Sequence, residues 1–167
     1  EETAAVLLPG GWLRTGDIVV ADEKGFVRIV DRIKELIITG GFNVYPSEVE
    51  EVVRELAEVD EVAVIGVRGS GDTGEEIVAV VLPTAGMTVD PEQVRAHARD
   101  RLTGYKVPRR VVIVEELPRS QVGKVLRRVV RDRIGEAYGI EAEVVPPPHA
   151  MDFDAPRESA PRPEDWA

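Results

Sequence analysis

Apolar residues along this chain change their spacing several times, and each spacing marks an element. Val49, Val52, Val53 and Leu56 fall at i, i+3, i+4 and i+7, one stripe of a helix over residues 46–58. Ser47 and Glu50 have the spacing of a capping box, and Pro46 suits the first helical turn. Glu48, Glu51, Glu55 and Glu58 fall off the stripe and are expected in water. Asp90 and Pro91 open a second helix, with Gln93 as cap partner and Val94, Ala98 and Leu102 as its stripe. Residues 124–134 carry a third, through Leu126, Val129 and Val130. Residues 62–67 and 77–82 are continuous, largely β-branched runs, as in strands covered on both faces, and 69–74 is the loop between them. Residues 111–114 form a further strand.

Nearer the start, residues 18–21 and 26–30 flank Asp22, Glu23, Lys24 and Gly25, whose turn chemistry predicts a hairpin. A second short strand pair uses either 27–30 or 36–38. After the hairpin the order is α-β-β-α-β-α, which predicts an α+β domain, a small sheet flanked by about three helices. Val6, Leu7 and Leu8 form a short apolar run stopped by Pro9, Gly10 and Gly11. Six of the twelve prolines lie between Pro146 and Pro163, so residues 136–167 read as a disordered tail.

Composition narrows the class. Hydrophobic residues make up 43% and aromatics only 5%, so the core must be aliphatic. The absence of cysteine excludes disulfides and thiolate metal sites and fits a reducing, cytoplasmic location. No apolar run is long enough to span a bilayer. The first residues lack a basic region and read as no signal peptide, and a start at Glu1 reads as a fragment. The net charge of −10 argues against general nucleic-acid binding. Residues 106–133 depart from that balance, with nine basic and three acidic side chains. The plain reading is a solvated basic helix through Arg127, Arg128, Arg131 and Arg133; the sharper one is a field for an anionic ligand such as a nucleotide phosphate.

Four short segments carry candidate chemistry. GWLRTGD (11–17) sets Asp17 behind a glycine turn, where a carboxylate caps the turn or accepts from both hydroxyls of a ribose diol. VDRIKE (30–35) offers Asp31, Arg32 and Lys34; taken alone, Asp31, Lys34 and Glu35 read as a surface ion-pair group. GGFNVYPSEVE (40–50) joins two glycines to the first helix, either as a tight strand-to-helix turn or as backbone brought close to a ligand. LPRSQVGKVLRR (117–128) holds Lys124, one of only four lysines among 21 basic residues. It is not a phosphate-binding loop of the Gly-Lys-Ser/Thr kind, because Val125 follows. His97 reads as a helix-surface or boundary residue and His149 as tail, and no zinc spacing or Ser/His/Asp set stands out.

In this order the four segments resemble the C-terminal end of an AMP-forming acyl-CoA synthetase, within the adenylate-forming enzymes. GGFN followed by a proline is similar to the CoA ligases, whereas peptide-synthetase adenylation domains show Arg-Ile-Glu there. The resemblance implies that residues 1–31 end a large N-terminal domain and that 32–135 form a C-terminal lid. It implies Lys124 as the catalytic lysine of adenylate formation, Asp17 and Arg32 as nucleotide-binding, and Lys34 as the hinge. It also implies that Gly40, Gly41, Phe42 and Asn43 border the tunnel for CoA. The reactants would be a carboxylic acid, ATP and CoA, released as acyl-CoA, AMP and diphosphate. The phosphate loop, acyl pocket and Mg2+ ligands would lie in the N-terminal domain, so the fragment alone is expected not to turn over. Two other readings stay open: a non-catalytic docking or nucleotide-binding module, and an adenylating enzyme that loads a carrier protein.

Overall fold

The computed structural model describes residues 6–69 and 74–138. Its centre is a three-stranded sheet in the order β7-β8-β9, made by β7 (Val59–Arg68), β8 (Glu75–Pro83) and β9 (Arg110–Ile113). β7 and β8 are antiparallel; β9 runs parallel to β8, reached through a helical crossover. The β-branched runs are continuous because both faces are covered. Val62, Val64, Ile77, Ala79 and Val81 face one buried cluster with Val49, Val53 and Val94. Ala63, Ile65, Val67, Val78 and Val80 face the other, against Val130 and Ile134. The helices α1 (Pro46–Val53) and α2 (Pro91–Arg101) supply the first cover and α3 (Arg127–Tyr138) the second.

Three two-stranded ribbons precede the sheet: β1 (Leu7–Leu8) with β2 (Trp12–Leu13), β3 (Asp17–Ala21) with β4 (Val27–Arg32), and β5 (Ile37–Thr39) with β6 (Phe42–Val44). The predicted hairpin is the second of these: Asp22 Oδ1 accepts the N–H groups of Lys24 and Phe26, each at 2.9 Å, and Gly25 takes φ 85°. The ribbon exposes apolar residues, including Phe26, Val27 and Ile29 at 72%, 66% and 63%. The second short pair uses the 36–38 option, and the segment of Phe42, missed in the sequence, is its partner strand. The α+β class and its three helices stand as predicted.

Several boundaries differ, for local reasons. α1 ends at Val53 rather than 58, because the N–H groups of Glu55 and Leu56 bond three residues back and tighten the chain toward β7. The Ser47–Glu50 box does not form. Tyr45 is the N-cap, Ser47 donates its N–H to Asp31 Oδ2 at 3.0 Å, and Glu50 turns into the core. A register shift after Ile18 leaves Val30 without a strand partner, and its carbonyl accepts the Ser47 hydroxyl at 2.9 Å. Asp90 caps α2 through the Glu92 N–H, but Gln93 donates to Glu58 instead of closing a box. α3 begins at Arg127, not at 124, and runs to Tyr138, past the expected end of the lid at 135; the rest of the tail lies outside the described residues. The interior of the 69–74 loop, 70–73, also lies outside them.

Gly74 closes that loop with φ 84°, and a Cβ there would stand 2.7 Å from the Ile38 carbonyl oxygen. Backbone cannot yield as a side-chain tip does, and the conformation itself disfavours any L side chain. Gly74→Ala is expected to destabilise the chain by about 1–3 kcal/mol in chemical denaturation. Gly104→Ala, with open space and no positive φ, is the control and should stay within about 0.5 kcal/mol.

Candidate functional site

The β3–β4 ribbon brings two predicted nucleotide residues together. Gly16, at φ 73°, turns the chain into β3, where Asp17 faces Arg32 across the pair. Arg32 Nε lies 3.2 Å from Asp17 Oδ1, and the arginine side chain is 63% exposed against 15% for the aspartate. Asp31 does not join an ion pair with Lys34 and Glu35, as the local sequence suggested. It is buried and caps α1 through Ser47, while its other oxygen accepts the Arg32 N–H at 2.8 Å. Lys34 is exposed in a 3-10 turn, Ile33–Glu35, between β4 and β5.

Glu35, from the same turn, pairs with Arg127 at the start of α3. Arg127 also grips Glu50, with Nε to Oε1 at 2.9 Å and Nη2 to Oε2 at 2.8 Å. Glu50 Oε1 accepts in addition the Val64 N–H of β7 at 2.9 Å. Burial pulls the Arg127 pKa down, but the Glu50 hydrogen bonds and the charges of Glu50, Glu35 and Asp31 more than offset it, so it lies above the ordinary arginine value. Arg127 is therefore not a solvated surface group, and neither is Arg131, which is buried; Arg128 is exposed as expected. The sequence hid this because a carboxylate at the fourth turn position and an arginine at a helix start look alike whether wet or paired.

Lys124 sits in a small loop hairpin ahead of α3. Ser120 N–H donates to the Lys124 carbonyl at 2.8 Å, Lys124 N–H to the Ser120 hydroxyl at 3.2 Å, and Gly123 turns between them with φ 81°. Arg119 braces the loop, donating to the Gly123 carbonyl at 2.9 Å and pairing with Glu61 of β7. The Lys124 backbone is thus held while its exposed ammonium has no side-chain partner among the described residues. Lys124, Arg32, Glu35, Glu61 and Arg127 line one cleft of about 660 Å3.

The remaining candidates lie elsewhere. Gly40 and Gly41, at φ 56° and 80°, form the two-residue turn of the β5–β6 hairpin, so the turn joins strand to strand and not strand to helix. Phe42 beyond them stacks on Tyr105, centroids 4.5 Å apart and planes 19° from parallel. Gly40, Phe42, Tyr105, Arg95, Arg99 and Arg109 line a second cleft of about 380 Å3; Gly41 and Asn43 do not reach it. Lys106 Nζ is held by Glu48 at 2.6 Å. Arg109 belongs to the basic block read at 106–133; Tyr105, Arg95 and Arg99 went unread in the sequence, although an aromatic among basic residues at 105–110 was a usable signal. The hairpin is pinned from below: Glu75 accepts the Ile38 N–H at 2.9 Å, and Thr39 bridges Gly74. Of the surface and boundary options for His97 the structure takes the boundary between α1 and α2, where it lies 3.0 Å from both the Val52 carbonyl and Glu55 Oε2.

Residues 48–124 match the AMP-binding enzyme C-terminal domain. Over 126 residues the chain is 52% identical to a long-chain-fatty-acid–CoA ligase of Yersinia pestis, covering 75% of this chain and 22% of the ligase. The crystal structure of ATP-bound MatB from Rhodopseudomonas palustris superimposes with TM-score 0.76 at 40% identity, over 83% of this chain and 27% of that one. An amide bond synthetase, McbA from Marinactinospora thermotolerans, does so with TM-score 0.71 at 41% identity, over 80% and 27%. The chain spans less than a third of each. In sequence over residues 48–124, and in fold over most of its length, the chain is similar to the C-terminal domain of the adenylate-forming, AMP-binding enzymes. Within that class it is similar to the acyl-CoA synthetases of the fatty-acid–CoA ligase type. Among the described residues no helix is long and apolar enough to cross a membrane.

Glu75 gives the site a pH signature. Burial pushes its carboxyl above the usual range, while the Ile38 N–H and Arg131 pull the other way and lose. A carboxyl raised on folding stabilises fully below its unfolded value, near 4.5, and that contribution is lost as pH rises through the folded value. Glu75→Gln keeps an acceptor for Ile38 and removes the charge. It is expected to raise Tm at pH 7, with the gain shrinking toward pH 4.5; an unchanged or lower Tm at pH 7 contradicts this.

Proposed function

We propose that this chain is the lid of an ATP-dependent acid–CoA ligase and that its two clefts serve the two half-reactions. In the first, a carboxylate oxygen attacks the α-phosphorus of ATP, the bond to the bridging oxygen breaks, and diphosphate leaves. Charge builds on attacking and leaving oxygens, and a positioned ammonium lowers that barrier. The observation that carries the reading is the Lys124 ammonium: exposed, without a side-chain partner among the described residues, on a braced loop, in the same cleft as Arg32. Asp17, beside Arg32, is set to accept the ribose hydroxyls. In the second half-reaction the CoA sulfur attacks the acyl carbon and AMP leaves. The Gly40 turn, the Phe42–Tyr105 stack and the arginines of the smaller cleft suit an aromatic, anionic ligand such as CoA.

Exposed Lys34, between the ribbon and the sheet domain, is the hinge of this reading. The bare apolar residues of the β3–β4 ribbon belong against the large preceding domain, which would also hold the acyl pocket. Among the described residues no cluster of three or more His, Cys, Asp or Glu side chains could hold a metal ion, and the Mg2+ of the nucleotide is assigned to that domain. A second reading, transfer of the acyl group to an amine, draws on the similarity to an amide bond synthetase; product analysis with CoA and with amines separates the two.

In the full-length enzyme, Lys124→Ala is expected to slow acid-dependent ATP–diphosphate exchange at least about 100-fold and to change thioester formation from supplied acyl-adenylate by no more than about twofold. Tyr105→Ala should do the reverse. Equal loss in both steps from either substitution contradicts the division of labour.

A further inference from the structure

We infer that Arg127 is a positioning residue for Lys124, and that its pair with Glu35 ties the orientation of the hinge turn to that lysine. The inference rests on the adenylation reading above. Arg127 stands three residues after Lys124, at the first position of α3, and both line the same cleft. Its planar fork is divided between two anchors: Glu50 takes Nε and Nη2, and Glu35 takes Nη1. A guanidinium can meet two carboxylates in fixed directions at once, whereas an ammonium gives a point charge without that geometry.

The two anchors differ in kind. Glu50 is 6% exposed and bonded to β7, so that half of the fork belongs to the core. Glu35 is 31% exposed and sits directly after Lys34 in the turn between the ribbon and the domain. It is the half of the fork that a rotation about the turn can make or release without opening the core. The far side of the Lys124 loop is already held by Arg119 on Gly123 and Glu61. Its exit is tied back to its entry, with Leu126 N–H on the Pro118 carbonyl at 2.9 Å and Val125 bridging Arg119, so the loop moves as one unit with the start of α3, where Arg127 fixes it to Glu50 and Glu35. The Lys124 ammonium is therefore in register with the nucleotide face only while the hinge turn holds Glu35 against Arg127.

The test uses the full-length enzyme. Glu35→Gln keeps a neutral acceptor and spares the Glu50 pair, so folding is preserved, and circular dichroism with Tm checks it. Exchange kcat is expected to fall about tenfold with KM for ATP within about twofold, and thioester formation from supplied acyl-adenylate to stay within about twofold. Arg127→Lys, which keeps charge but loses the fork, should show the same split, and the double variant should be no slower than Arg127→Lys alone. Normal exchange in Glu35→Gln, or equal loss in both half-reactions, overturns the inference while the adenylation reading stands. Absence of exchange in the unsubstituted enzyme overturns both.

Discussion

Glu50 and Arg127 lie 77 residues apart in the chain, and their two-pronged contact is where the separate parts of this domain meet. Glu50 comes from α1, its oxygen also accepts from Val64 of β7, and Arg127 opens α3 and reaches the Ile33–Glu35 turn through Glu35. Removing two charges from water is costly, and the contact offsets that through three N–H donors of Arg127 and acceptance by both Glu50 oxygens. Such a pair specifies one arrangement of α1, β7 and α3 more sharply than apolar packing would. The aliphatic clusters on either side of the sheet supply the bulk of the burial, but Val and Ile side chains can repack with little preference for one register.

From that fixed frame the two clefts follow. One opens beside Glu61, at the end of β7 that pairs with Leu82; the other opens beside Ile77, whose register partner is Gly66. They share no lining residue. The Lys124 loop belongs to the first and the Gly40 turn to the second, each braced by its own contacts: Arg119 on Glu61 for the loop, Glu75 and Gly74 under the hairpin. On the proposed ligase reading, a body with two differently built faces, joined to a larger domain through the exposed Ile33–Glu35 turn, would present one face and then the other, and so serve two chemical steps.

What the sequence makes legible follows from which forces are local. The runs at 62–67 and 77–82 declare themselves because strands covered on both faces need apolar residues at every position. The stripe of Val49 and Val53 is readable, but its cap is not, because the acceptor for Ser47 comes from Asp31, 16 residues earlier. Ser47 and Glu50 carry the spacing of a local cap and are used for distant partners instead. Lys124 and Arg32 were identifiable by chemical type, and their common cleft only by fold. Arg127 was read as wet because its partners, Glu35 and Glu50, precede it by 92 and 77 positions. Long-range ion pairs leave no periodic trace in a sequence, whereas apolar faces do.

The most direct test is a double-mutant cycle on Glu50 and Arg127, each replaced by Met singly and together, with unfolding free energies from chemical denaturation. If the contact organises the domain, each single variant leaves a charge without its partner, buried for Glu50 and half-buried for Arg127, and the coupling energy should exceed about 2 kcal/mol, the double variant being more stable than the two single losses predict. Additive losses, with coupling below about 0.5 kcal/mol, would show that the pair is a bystander and that the aliphatic core alone sets the arrangement.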